Sequence, residues 1–397
     1  MANTFASNLL PKIYLGAQKV LREELPVLSM VSREDAWNMN AGLAAQKGQQ
    51  VVINRPVAFD TPGDMVPSMT PPTPSNMNLS ASTVTVDQWK KQEFGVTQEE
   101  AVLYHTQNVV PNQMVEAVRS IANQMASYLY DFYYMISGQC GTAGTGAFAS
   151  DIDCLSDFDA LLTRQRCPMA NRFLAISITD TAAARKLAEV QQAERLGDQG
   201  VIRQGQLGRL MNLDIVTDRY IPTHTSTYTL GGGVVDATAD TAVGETTINV
   251  TVTGGSGFVM AAGDPFTFSG NTNHQYTSTA AVSIAAAETG DITLNRPLEE
   301  AVDEDETLAE VTNNGTGRMN IGGNSYGFGM AFRTMPTSIE GGDIIGSHFS
   351  GVDPLSGAAL TISNIPGDAM TLFRVSCAYG GGVVQPNYLA RLATGAT

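Results

Sequence analysis

The sequence predicts an α+β protein with one long central helix and a small antiparallel β-barrel inserted late in the chain. Three observations carry this prediction. Apolar residues recur every three or four positions from Met114 to Ile136, the signature of one helical face. Mixed helical and strand patterns run on to Ile221 and resume from Ser325 to Thr397, as a single body would give. Between them, residues 223–318 hold only Arg296 and Arg318 against 13 acids and read as threonine- and valine-rich strands.

The totals allow two or three domains around a sizeable core, with 397 residues that are 43% hydrophobic and 16% charged. No apolar run reaches the roughly 18 to 20 residues of a spanning helix, so a soluble chain with no membrane partner is expected. The first ten residues carry neither a basic region nor an apolar stretch of signal-peptide length, which predicts synthesis in the cytoplasm. The net charge of −16 divides unequally, with −11 in residues 223–318 and −5 in the rest. An acidic chain gains no counterion release on nucleic acid, so independent DNA binding is disfavoured. Cys140, Cys154, Cys167 and Cys377 form no Cys-x-x-Cys pair and read as small buried hydrophobes.

Residues 1–42 read as an N-terminal arm, because Leu10, Ile13, Tyr14, Ala17, Val20 and Leu21 mark one helical face before Pro26. So thin a stripe needs the body or a neighbouring subunit to cover it. Residues 43–95 read as an extended β loop, with strand-like runs at 50–53 and 82–86 around Pro56, Pro62, Pro67, Pro71, Pro72 and Pro74. Proline removes backbone donors, which suits a two-stranded excursion with an irregular tip and not a central strand. The competing reading is a loop packed on its own domain. If the excursion is free, changes in it should spare the monomer.

Residues 96–222 begin the body. A helix is predicted over 111–137, closed by Gly138 and about 40 Å long at about 1.5 Å per residue. Helices over 157–164 and 179–193 and strands over 173–178 and 214–217 follow. Within the acidic unit, 223–318, strands are predicted over 246–252, 265–268 and 291–294, separated by glycine-rich turns. Residues 319–397 complete the body, with their strongest strand over 371–376.

No catalytic constellation stands out, and no catalytic, cofactor-binding or metal residue is expected. His105, His224, His274 and His348 are scattered and none lies in a metal-binding motif. The glycines from Gly141 to Gly146 lack the lysine and the preceding strand of a phosphate loop and read as a flexible turn. Asp151 and Asp153 read as caps for the helix that follows. The run from Glu299 to Glu306 reads as a solvated face, with a cation or a basic partner segment as the alternative.

Three stretches carry a resemblance. Gln204 to Val216, Gln-Gly-Gln-Leu-Gly-Arg-Leu-Met-Asn-Leu-Asp-Ile-Val, is similar to a Gly-x-Leu/Ile-Gly-Arg-x-x-Gly-Phe-Asp-Val segment of tailed-bacteriophage major capsid (coat) proteins. Asn212 and Leu213 stand where Gly and Phe are common. Ala262 to Gly270 resembles the strand-turn unit of the extra domain in coat proteins of short-tailed Salmonella-type phages. Leu372 to Gly380, followed by Gln385-Pro386, resembles the last strand of that subgroup.

The resemblance implies the tailed-phage capsid fold: N-arm, extended loop, long spine helix, peripheral and axial domains, and the inserted β domain. It implies a non-enzymatic shell subunit that assembles with itself, as hexamers and pentamers, into the icosahedral head of a virion. A scaffolding protein and a portal protein would be partners, a decoration protein a further one, and packaged double-stranded DNA a non-specific neighbour. Lys47, Arg55, Asp60, Asp64, Lys90 and Lys91 are expected as inter-subunit charge pairs, each contributing about 0 to 1 kcal/mol. The alternatives are an encapsulin-like nanocompartment shell, or a carbohydrate- or surface-binding protein using the β unit for recognition.

Overall fold

The computed structural model describes residues 14–21, 31, 49–56, 79–100, 109–187, 190, 207–230, 234–255, 257–311, 315–333, 335, 338–339, 342–343, 346–353 and 357–395. Helix α1 (14–21) buries Tyr14, Ala17 and Leu21 in the main hydrophobic cluster, with Tyr14 edge-on to Phe349. The apolar face read from the arm therefore lies, in this helix, against the chain's own body.

Strands β1 (Gln49–Pro56) and β2 (Leu79–Val86) pair antiparallel, from Gln49 opposite Val86 to Pro56 opposite Leu79. Alternation places Val51, Ile53, Val84 and Val86 in one cluster with Ala331, Ala378 and Val384, while Val52 on the other face is 56% exposed. The base of the excursion is thus part of a core, because four inward aliphatics cannot be left in water. These four residues belong to the monomer's core, so the expectation that changes spare the monomer bears on the proline-rich loop beyond them. The proline-rich tip, 57–78, lies outside the described residues.

Strand β3 (Gln88–Thr97) leads to α2 (Val109–Tyr130), about 33 Å long at about 1.5 Å per residue. Its buried stripe is Met114, Ala117, Val118, Ile121, Ala122, Met125, Ala126 and Leu129, all at helical spacing. The helix ends earlier than the apolar period predicts. Residues Asp131–Met135 tighten into a 3-10 turn and Ile136 is extended, although fully buried.

The body continues through β4 (Gly138–Gly141), α3 (Asp153–Arg164), β5 (Arg172–Ser177), α4 (Ile178–Ala184), β6 (Arg209–Leu210), β7 (Leu213–Asp218) and β8 (Thr223–Thr225). Helix α3 starts four residues before its prediction, because Asp151 Oδ1 accepts the Asp153 amide at 3.2 Å and so satisfies a donor of the first turn. Ser177 Oγ does the same for Asp180 at the start of α4. The later part of the helix predicted over 179–193 lies largely outside the described residues.

Met211 and Asn212 both take left-handed backbone, φ 46° and 65°, giving the two-residue hairpin turn that such a pair requires. Asn212 Oδ1 accepts from Arg209 at 2.6 Å, and Leu213 is fully buried. With Asn212 and Leu213 at these positions the turn is tight.

Among the described residues, nine strands make the acidic β unit: β9 (Thr229–Leu230), β10 (Val234–Ala237), β11 (Thr247–Thr253), β12 (Phe258–Met260), β13 (Pro265–Phe268), β14 (Asn271–Thr277), β15 (Val282–Ile284), β16 (Thr289–Thr293) and β17 (Leu308–Glu310). They form three antiparallel sheets in the orders β10-β11-β16, β15-β12-β9 and β14-β13-β17. One hydrophobic cluster, drawn only from residues between Tyr228 and Leu308, fills the space between them around Phe258, Phe266, Phe268 and Tyr276.

The chain then returns through β18 (Thr316–Asn324), β19 (Phe328–Arg333), β20 (Ser338–Ile339), β21 (Gly342–Asp343), β22 (Ser347–Val352), β23 (Ala359–Pro366), β24 (Met370–Val383) and β25 (Leu389–Gly395). A 7-stranded mixed sheet runs β4-β25-β18-β5-β7-β6, with β8 also on β18. A 5-stranded antiparallel sheet runs β19-β24-β23-β22, with β3 on β24. Because β8 and β18 pair with each other, Thr225 opposite Thr316, the two ends of the predicted acidic segment lie in the body's sheet.

Candidate functional site

A network of buried polar groups lies where the β unit meets the body. The 3-10 turn after α2 brings Tyr133 and Tyr134, β8 brings His224, and β25 brings Arg391. His224 Nε2 stands 2.7 Å from Asp264 Oδ1, and its Nδ1 stands 3.1 Å from the Tyr133 hydroxyl. A neutral imidazole protonated on Nε2 satisfies both, donating to the carboxylate and accepting from the phenol.

Asp264 Oδ2 accepts the amides of Ala261 at 2.8 Å and Thr227 at 3.2 Å, so this fully buried carboxylate holds three donors. Burial raises its pKa, but the His224 bond and the Ala261 amide outweigh that and hold it below the ordinary aspartate value. Before it in the chain, Gly263 has φ +88°, and a Cβ there would meet Tyr134 Cβ at 2.8 Å. Glycine is what lets the two backbones approach. The Gly263 carbonyl accepts from Arg391 Nη2 at 2.8 Å. Burial pulls the Arg391 guanidinium down to about 10, opposed by Tyr133 and Asp264.

The early end of α2 has its reason here. Thr277 Oγ1 donates to Tyr134 O at 3.2 Å, and Asn295 Nδ2 donates to Met135 O at 2.8 Å. Carbonyls at a helix end have no intrahelical partner, and the β unit supplies one for each. The Gln139 amide completes the seam by donating to Gln275 Oε1 at 2.6 Å.

A second knot surrounds Arg296, 4% exposed. It donates to Glu299 Oε1 at 2.5 Å, to Asn387 Oδ1 at 2.6 Å and to Gln275 O at 2.9 Å, and lies over the Tyr276 ring. Glu299 also accepts from Asn387 and stands 3.0 Å from His274. Burial raises its pKa, but His274 and Arg296 outweigh that and bring it to about 2. Glu299 is therefore a structural anchor, and the solvated-face reading holds for Glu300 and Asp303 to Asp305, which are exposed.

The six residues expected to make inter-subunit pairs fall elsewhere. Lys47, Asp60 and Asp64 lie outside the described residues, and Arg55 is on β1 opposite Ser80. Lys90 and Lys91 are together on β3, opposite Cys377 and Ser376. Lys91 Nζ is 2.9 Å from Glu93 Oε1, whose other oxygen accepts from Arg374 at 2.9 Å, so Lys91 is engaged within its own chain.

Sequence reading missed the joint. Asp264 falls within the Ala262–Gly270 stretch without a role assigned to it, and nothing local singles out His224, Tyr133 or Arg391. Among the described residues no group of three or more His, Cys, Asp or Glu is arranged to hold a metal ion, and no helix is long and apolar enough to cross a membrane. The four cysteines are free thiols packed in or against apolar clusters, and burial pushes Cys167 up to about 11 and Cys154 up to about 12.

Fold and joint together define a mixed helix-and-sheet protein in which buried polar groups fasten one hydrophobic core to another. No family model and no curated protein matches the chain. Among solved structures it is similar to the capsid of the Cyanophage P-SCSP1u, with 12% identity over 89% of this chain and 84% of that one, TM-score 0.45. It is also similar to a structure from Mycobacterium phage Che8, with 14% identity over 91% and 88%, TM-score 0.41. A third similar structure is the capsid of a native GTA particle, with 11% identity over 92% of each chain, TM-score 0.42.

Proposed function

We propose that this chain is the major capsid protein of a tailed bacteriophage. In this reading it assembles with itself into the icosahedral shell around double-stranded DNA, with residues 223–318 as an insertion domain and α2 as the spine. Scaffolding, portal and decoration proteins are proposed partners, and assembly in the host cytoplasm is the proposed setting. One observation carries the reading. Among the described residues, the hairpin of β1 and β2 packs on the body along Val51, Ile53, Val84 and Val86, while Val52 on its other face is 56% exposed and no third strand pairs with it. A two-stranded sheet is marginal by itself, and a second copy of the chain is the cover that a closed shell provides repeatedly. The segment from Leu207 to Val216, folded as a tight hairpin at the edge of the large sheet, adds the sequence resemblance to this geometry.

Electron microscopy of the purified chain, alone and with the products of neighbouring genes, tests the reading. Closed particles are expected, and particles filled with nucleic acid distinguish a phage head from a nanocompartment. A dispersed monomer under every condition overturns it.

A further inference from the structure

Glu310 ends β17, opposite Phe266 of β13, at the point where the chain leaves the β unit for β18. Its Oε1 is closed off from solvent and has no hydrogen-bond partner among the described residues. Two groups among the described residues lie close enough to interact with its charge, Asp264 and Tyr228. The turn before β13 brings Asp264, whose charge is fixed by its three donors. The segment before β9 brings Tyr228, whose hydroxyl donates to Leu308 O. Asp264 is in turn held by His224 of β8, which is bonded on its other side to Tyr133.

We propose that this foot of the β unit is a proton-operated latch: β17 docks on β13 while the Glu310 carboxyl keeps its proton, and loosens when the proton passes to solvent. The physical reason is that ionisation would place a second negative charge near a permanent one, on an oxygen with no donor among the described residues to receive it. Burial, and then Asp264, push the Glu310 carboxyl up to about 7, which places the change near neutral pH. The contacts at stake are those that hold β17 in place, the Val311 amide on Pro265 O at 3.3 Å and the Ser269 amide on Thr307 O at 2.9 Å. The latch is a property of the folded chain and stands whether or not the chain builds a shell.

Amide hydrogen exchange on the full chain, corrected for the intrinsic rate, reads it directly. Protection at residues 308–311 is expected to fall about tenfold between about pH 5.5 and about pH 8.5, while 319–324 in β18 hold steady. In Glu310→Gln the fall should disappear and protection should stay high. A flat wild-type profile, or a fall retained in the variant, overturns the latch. Carbon-detected NMR of the wild-type side-chain carboxyls covers the case of a variant that fails to fold: a Glu310 titration near 7 supports the latch, and one at the ordinary glutamate value overturns it.

Discussion

Asp264 and His224, 40 residues apart in sequence, meet at 2.7 Å with both side chains almost completely shut off from solvent. The carboxylate also holds two backbone amides, and the imidazole extends the chain of bonds to Tyr133 on the far side of the seam. This contact ties the β unit to the body.

Asp264→Ala leaves three buried donors without an acceptor. It should lower the unfolding free energy by about 3 kcal/mol or more, read from urea melts. Asp264→Asn, which keeps the shape, should cost less. Equal effects would mean that the charge is immaterial.

Gly263→Ala combines a left-handed backbone with a Cβ pressed on Tyr134 at 2.8 Å. A loss of about 2 kcal/mol or more is expected, together with weaker protection of the Met135 carbonyl contact from Asn295. Wild-type stability in this variant would show that the approach of the two backbones can relax freely.

Glu299 and Glu310 act on acid and base limbs in opposite senses. The folded pKa of Glu299 is lowered to about 2 from 4.5, so its contribution is full above the ordinary value and is lost as pH falls toward 2. The folded pKa of Glu310 is raised to about 7 from 4.5, so stability is lost as pH rises between those values. Urea midpoints measured across this range should show Glu299→Gln with a shallower acid limb and Glu310→Gln with a flatter neutral one. Acid limbs that run parallel in wild type and Glu299→Gln would remove Glu299 from the account.

Ile53→Ala opens a cavity at the base of the β1–β2 hairpin, where Ile53 is 5% exposed. It should destabilise the monomer by about 2 to 4 kcal/mol. Lys91→Glu, on a side chain 58% exposed, should change folding by less than about 1 kcal/mol. If β3 is a contact between subunits, the same change should lower particle yield. Unchanged particle yield would exclude Lys91 from such a contact.

What the sequence determined by itself is the identity of most elements. The three-to-four spacing of Met114, Val118, Ile121, Met125 and Leu129 and the alternation of Val250 and Val252 are local patterns. A helix or a strand expresses them whatever lies beyond, because each period places apolar groups on one face. The extreme acidity of residues 223–318 was equally legible, being a matter of composition.

Only the tertiary structure decided where those elements stop and what joins them. Tyr134 and Met135 leave the helix because Thr277 and Asn295, 143 and 160 residues away, take their carbonyls. The β1–β2 hairpin, legible as an excursion, became part of a core only because Ala331, Ala378 and Val384 lie under it. Arg391 reaches Gly263 across 128 residues. Such meetings depend on the register of strands distant in sequence, and a one-residue slip would turn each side chain to the other face. Local periodicity therefore specified the strands, and their pairing across the sheets made the joint.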